Sequence, residues 1–175
     1  KAANRAELEK AIQVALAEDN KVVFERFVQG QEVECAVIGN QVCVSTRPGE
    51  ILASEAFYTY EDKYVLGTSR TVIPAHLSEE VLDRVKAQAE KAYRALGCEG
   101  LARVDFFVEN GDTILLNEIN TLPGFTSISM YPKLMEDADK PIDQLLDELI
   151  GLRWSARGFA MDKRPIGVFD SGMGA

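Results

Sequence analysis

Arg103 and Asp105 stand two positions apart, and Glu118 and Asn120 repeat that spacing fifteen residues further on. A guanidinium, two carboxylates and an amide oxygen spaced in this way can share chemistry only if the chain folds back between them. Asn110-Gly111 is a strong signal for such a fold-back, because both residues tolerate the positive φ of tight hairpin turns. A two-residue turn there pairs Glu109 with Asp112. Counting outward sets Asp105 opposite Leu116, Arg103 opposite Glu118 and Leu101 opposite Asn120. Cross-strand partners share a face, as do alternate residues of one strand. Arg103, Asp105, Glu118 and Asn120 are therefore expected together at one end of one face. Ala102, Val104, Phe106, Val108, Leu115 and Ile119 are expected on the other, as core, with Asn117 an unexplained polar member of that face.

Hard oxygen donors gathered on a sheet suit Mg²⁺, which completes its shell with water and substrate phosphate. Arg103 could then face a transferring phosphoryl group or an oxyanion without a dedicated protein partner. Spacing alone leaves two other readings open. One is a solvated polar face with an Arg103–Glu118 cross-strand pair; the other is acid–base work by two carboxylates, as in glycosidases. Asn120 alongside, with no other suitable acid, counts against the last. The loop that follows, Thr121-Leu122-Pro123-Gly124-Phe125-Thr126-Ser127-Ile128-Ser129, adds a glycine for close backbone approach and serine hydroxyls for a carboxylate. As a turn-rich connector it would have the same composition; its place directly after Asn120 favours function.

The elements that must position these groups follow from periodicity. Asn4 and Glu7 have capping-box spacing ahead of Leu8, Ile12, Ala15 and Leu16, which predicts an amphipathic helix over residues 5–17. Strands are expected over 22–28, 32–38, 41–45 and 69–73, with turns at Gln29-Gly30-Gln31 and Gly39-Asn40. Residues 46–68 lack a clear period, and so long an irregular stretch points to function or mobility. Ser78 should cap a second helix with Glu79 and Glu80 in its first turn, a buried stripe of Val81, Val85, Ala89, Ala92 and Leu96, and Gly97 as its stop. A last helix is expected over 141–150. His76, the lone histidine, reads as a loop residue.

With 46% hydrophobic and 27% charged residues, the 175-residue chain can build a core, and no segment reads as disordered. A net charge of −9 argues against nucleic acid as partner, since no broad basic surface is available. Cys35, Cys43 and Cys98 lack metal-like spacing, and their odd number suits a reducing cytoplasm better than a disulfide framework. No run approaches the ~18 apolar residues of a membrane helix. The start at Lys1, with no initiator Met, suggests a chain cut from a longer protein.

Two ordered segments carry a family resemblance. Gly97-Cys98-Glu99-Gly100-Leu101-Ala102-Arg103-Val104-Asp105 and Asn117-Glu118-Ile119-Asn120-Thr121-Leu122-Pro123-Gly124-Phe125-Thr126 resemble the signature of the D-alanine–D-alanine ligases, over roughly residues 1–153. The resemblance implies an α+β ATP-grasp fold, an antiparallel sheet with flanking helices. By the same likeness Asp105, Glu118 and Asn120 match Mg²⁺ (or Mn²⁺) ligands, two ions in all, and Arg103 matches the arginine that stabilises both transition states. Gly124 matches an oxyanion N–H, and Ser129, with Met130 beside it, the site for the second substrate's carboxylate. Residues 22–28 resemble the strand beside adenine, with Glu25, Phe27 and Val28 on the base and Glu32 on the ribose. Glu55-Ala56-Phe57-Tyr58-Thr59-Tyr60-Glu61-Asp62-Lys63-Tyr64 resembles a closing loop, with Phe57 over adenine, Lys63 at the phosphates and Tyr64 at the second substrate. The Lys63-Tyr64 pair resembles D-alanine-specific members; D-lactate-specific relatives usually carry a histidine there.

The implied reaction passes a γ-phosphoryl group from ATP to the carboxylate of one D-alanine, and the amine of a second then displaces phosphate, for peptidoglycan precursors in the cytoplasm. A D-alanine–D-serine ligase and a non-catalytic nucleotide-binding module are the alternatives. The family's first-substrate carboxylate, glycine-rich phosphate loop and early lysines have no match here, so the chain alone is expected to lack ligase activity. The full-length protein is expected to be a homodimer that engages neither nucleic acid nor membrane. After a linker over 154–160, Met161-Asp162-Lys163-Arg164-Pro165-Ile166-Gly167-Val168-Phe169-Asp170-Ser171-Gly172-Met173-Gly174 resembles the opening of glutamate racemase, too short a piece for racemase activity.

Overall fold

The computed structural model describes residues 1–52 and 70–155. The expected closing loop with Phe57, Lys63 and Tyr64 lies outside them, as does the racemase-like segment. The described chain forms helix α1 (Arg5–Glu18) and strands β1 (Gln31–Gly39), β2 (Cys43–Ser45), β3 (Gly49–Leu52) and β4 (Arg70–Val72). Helix α2 (Glu79–Ala95), strands β5 (Gly100–Glu109) and β6 (Thr113–Asn120), and helices α3 (Met130–Asp137) and α4 (Ile142–Ser155) follow. The strands make one sheet in the order β4-β3-β1-β5-β6, with β2 also on β1, and every pairing is antiparallel.

Helices cover both faces. On one, α2 packs Val81, Leu82, Val85, Ala89 and Tyr93 against Val33, Cys35, Val37, Ala102, Val104, Phe106 and Val108. Its cap is the expected one, with Ser78 accepting from the Val81 N–H at 3.4 Å. The stripe ends differently: Leu96 is 68% exposed, and Tyr93, one helical turn beyond Ala89, takes the last buried place and donates its hydroxyl to the Gly39 carbonyl at 2.7 Å. On the other face, α3 and α4 pack Met130, Tyr131, Leu134, Met135 and Leu145 against Ala36 and Ile38. Short β3 and helix α3 have no counterpart in the periodicity reading; each is too brief for a pattern to declare itself.

The amino-terminal region departs further. Asn4 caps α1 by accepting from the Glu7 N–H at 3.0 Å, and Glu7 reaches back to the Ala3 N–H at 2.8 Å. The helix nevertheless buries no residue, and its apolar Leu8, Val14 and Leu16 stay exposed. Residues 22–28 form no strand, contrary to expectation. Strands exist through their partners, and both edges of β1 are occupied by β5 on one side and β2 and β3 on the other. The segment leaves Val23, Phe24 and Phe27 exposed and is tied to the end of β5 by a bidentate Arg26–Glu109 pair at 3.1 Å.

Candidate functional site

The hairpin closes where Asn110-Gly111 predicted, but with one residue more. Asn110 and Gly111 have φ of 53° and 79°, and the Asp112 N–H bonds the Glu109 carbonyl at 3.2 Å, so Glu109 pairs with Thr113 rather than Asp112. That shift carries Ile114 to the core side and Leu115 to the opposite side, against the expectation for Leu115. A β-bulge then intervenes. Phe106 pairs with Leu116 but Asp105 pairs with Glu118, which leaves Asn117 as the extra residue. The polar side chain that had no account among core positions is the bulge itself. The second slip restores the parity lost at the turn. Arg103 pairs with Asn120 and Asp105 with Glu118, so all four groups share one face, as expected from the sequence.

Strand β1 adds a residue that sequence reasoning missed. Glu34 pairs with Asp105 across the sheet and is 2% exposed. Its Oε2 lies 3.1 Å from Nε of Arg103, which also grips Asp105 in two-point fashion, Nε to Oδ1 at 2.8 Å and Nη2 to Oδ2 at 2.7 Å. The expectation that Arg103 has no protein partner is thus wrong. One guanidinium faces Glu34, Asp105 and Glu118. Burial works to lower its pKa, but the Asp105 hydrogen bonds and the charges of Glu34, Asp105 and Glu118 outweigh it, and the net shift is upward. Arg103 is a permanent cation set among carboxylates. The signal for Glu34 was available: two acids, Glu32 and Glu34, on one face of a strand otherwise made of Val33, Cys35, Ala36, Val37 and Ile38.

The donor set fits a divalent cation, with conditions. Among the described residues no three His, Cys, Asp or Glu side chains are arranged to hold a metal. Two carboxylates and the Asn120 amide suffice only if a ligand adds oxygens, which is how Mg²⁺ is ordinarily held. Arg103 occupies one lone pair on each Asp105 oxygen, and a carboxylate has about four, so Asp105 retains capacity. Asn120 directs its Oδ1 to the Leu122 N–H at 3.1 Å, starting the loop that follows.

That loop is tied to itself through Ser129. The Ser129 hydroxyl does not cap α3; it accepts from the Thr126 N–H at 3.1 Å and lies 2.8 Å from the Thr126 hydroxyl. Gly124 sits so near that an added Cβ would meet the Ser129 Oγ at 2.7 Å. A side chain at this position would push the Ser129 hydroxyl away from Thr126. Met130, expected beside a substrate, is 5% exposed and lies in the core with Tyr131 and Leu134, so only its backbone is available to a ligand.

Of the expected base-binding residues, Glu25 and Phe27 are exposed and Val28 is half-buried, all in a segment that forms no strand. Glu32 alone lines an open cavity of about 280 Å³, with Gly30, Gln31, Ile51, Leu52 and Phe107. Glu50 borders it, accepting from Gln31 at 3.0 Å and from the His76 backbone N–H at 3.1 Å, with the His76 ring 3.0 Å away. His76 thus anchors a loop, as expected of it. No helix among the described residues is long and apolar enough to cross a membrane.

Residues 1–151 match the family described as D-ala D-ala ligase C-terminus. The D-alanine--D-alanine ligase of Solibacter usitatus is 50% identical over 151 residues, 86% of this chain and 46% of that protein. Among solved structures, a D-Ala:D-Ser ligase from Enterococcus faecalis is 41% identical with a TM-score of 0.74, over 85% of this chain and 43% of that one. A D-alanine--D-alanine ligase from Bacillus anthracis complexed with ATP is 26% identical with a TM-score of 0.74, over 89% and 48%. The chain spans less than half the length of each.

Proposed function

Since the chain belongs to the D-alanine–D-alanine ligase carboxyl-terminal family, we propose that it supplies the catalytic lobe of an ATP-dependent ligase joining two D-alanines. The fold is the α+β ATP-grasp arrangement expected from the resemblance. The observation that carries the functional reading is the face shared by Arg103, Asp105, Glu118 and Asn120. Asp105, Glu118 and Asn120 would hold Mg²⁺ with ATP phosphate oxygens in the remaining positions, and the cation would neutralise charge on the transferring phosphoryl group.

The chain's own residues do the rest. Arg103 spends its Nε and one Nη2 proton on the protein, which leaves both Nη1 protons and one on Nη2 for developing negative charge. Gly124 brings a backbone N–H where a side chain would collide, and Ser129 presents a hydroxyl for a carboxylate on the same loop. Glu32, at the cavity beside β3, offers a carboxylate to a ribose diol.

The test is thermal denaturation of the 175-residue chain with Mg²⁺-ATP. A ligand at one hundred times its Kd stabilises by about 2.7 kcal/mol, and Asp105→Ala should remove the rise. No shift in the native chain, or an equal shift in the variant, overturns the reading. In the full-length protein, Asp105→Ala should abolish Mg²⁺-dependent phosphoryl transfer. Mass analysis of products from mixed D-alanine and D-serine there separates the two substrate choices, the second being the substrate pair named for the Enterococcus faecalis neighbour.

A further inference from the structure

We infer that Glu34 is a positioning residue for Arg103, a second anchor that holds the guanidinium when the Asp105 oxygens turn to a cation. The inference rests on the cation reading above. Three observations lead to it. Glu34 is 2% exposed on a strand with neighbours on both sides, a setting in which a carboxylate needs a charged partner. Arg103 is one such partner, with its Nε 3.1 Å from the Glu34 Oε2. The same Nε bears one hydrogen, now directed to Asp105 at 2.8 Å, so both carboxylates stand at the same edge of the guanidinium, with Asp105 taking the hydrogen and Glu34 in ion-pair contact only.

The geometry gives each acid a distinct task. Asp105 and Glu118 are cross-strand partners on the site face, so Asp105 is the acid placed to combine with Glu118 and Asn120 around a cation. Glu34 lies on the far side of Asp105 from β6, because β5 runs between β1 and β6. As Asp105 shifts toward a cation, its hold on Arg103 weakens. The Nε–H can then turn to Glu34 without moving the guanidinium, and the Nη1 end continues to face outward. Without Glu34, an arginine released by Asp105 would swing on its flexible stem and lose its aim.

The measurement is hydrogen exchange of the Arg103 Nε–H by NMR on the 175-residue chain labelled at arginine. Asp105→Asn mimics the loss of that carboxylate's grip without any metal. The Arg103 signal should stay protected in this variant, within about threefold of native, and should exchange at least about tenfold faster in Asp105→Asn/Glu34→Gln, the factor that loss of one charged hydrogen bond brings. A freely exchanging signal in Asp105→Asn alone overturns the inference, as does continued protection in the double variant. If the double variant does not fold, Asp105→Asn/Glu34→Asp, which keeps the charge but withdraws it by one methylene, is read in the same way and must also speed exchange. The cation reading is judged separately: addition of Mg²⁺-ATP to the native chain that leaves the amide signals of residues 103–105 and 118–120 unmoved refutes it, while the arginine measurement stands.

Discussion

Replacing Arg103 with Met should destabilise the chain far more than loss of a surface charge, and the reason lies in what remains. The Arg103 side chain is 17% exposed, those of Glu34 and Asp105 3% and 5%. Met fills much of the same space, so little packing is lost. Two buried carboxylates, however, lose the cation they share. Removing one member of a buried ion pair costs about 3–5 kcal/mol, chiefly through the stranded partner. With a urea slope of about 2 kcal/mol/M, the unfolding midpoint should fall by roughly 2 M. Arg26→Ala is the control. It breaks a two-point pair of similar distances, but Arg26 is 65% exposed, and such pairs contribute little. Its midpoint should stay where it was. Mg²⁺ should also raise the midpoint of Arg103→Met more than that of the native chain, because the cation enters a site that has lost its resident positive charge. A midpoint for Arg103→Met within about 0.3 M of native would refute the reasoning, since it would mean that water or rearrangement satisfies both acids at almost no cost.

Deleting Asn117 removes the bulge and should turn Glu118 and Asn120 toward the α2 side of the sheet. The deletion variant should lose the Mg²⁺-ATP thermal shift, whereas Asn117→Ala, which keeps the residue count, should retain it; equal behaviour of the two removes the parity argument. Alkaline pH should destabilise the fold. Burial pushes the Cys35 thiol up to about 12, so the folded chain keeps a proton that the unfolded chain releases above its ordinary value of about 8.5. The Cys35 contribution is therefore intact below about pH 8.5 and is lost progressively as pH rises toward about 12, at up to about 1.4 kcal/mol per pH unit. Buried Tyr93 and Tyr131, also pushed upward, add to the loss from about pH 10. Urea midpoints measured between about pH 8.5 and 10 should decline less steeply in Cys35→Ala, and parallel declines would exclude Cys35 as a source.

The parts of this fold legible in the sequence are those whose cause is local. Asn4 and Ser78 cap helices because each hydroxyl or amide reaches a backbone N–H within one turn. The hairpin bends at Asn110-Gly111 because those residues accept positive φ. Register is less local. The turn took three residues instead of two, a choice that depends on how the strands twist against their neighbours, and the bulge at Asn117 depends on β1 and α2 as much as on β6. The expected face survived because the two one-residue slips have the same sense and together leave parity unchanged. Glu34 escaped notice because charges on a strand, even two on one face such as Glu32 and Glu34, are ordinary until the strand proves to be central. Residues 22–28 carry a strand-like sequence, yet they pair with no strand of the sheet. Met130 was assigned by likeness to a substrate site, while its side chain answers to the core.

The site's position follows from a change of character along one sheet face. On β1 the face reads Glu32, Glu34, then Ala36 and Ile38; on β5 it reads Asp105, Arg103, then Leu101. The apolar ends lie under α3 and α4, which bury Ala36 and Ile38 and pack against Leu101. The ionic ends have no helix over them among the described residues, and there Glu118 is exposed and Arg103 half-buried while Glu34 and Asp105 are buried. The loop over 121–129 falls on the border between the two halves. Phe125 fixes it on the apolar side by stacking on Tyr131 at 5.6 Å, and Tyr131 is itself tied to the Val37 carbonyl at 3.1 Å. Gly124 and Ser129 are thus carried on a loop pinned to the core, and their distance from Arg103 is set by the sheet rather than by the loop's own flexibility. Under the proposed function, one arginine, a backbone N–H and a hydroxyl would be aimed at a common substrate, and that anchoring is what would make their aim accurate.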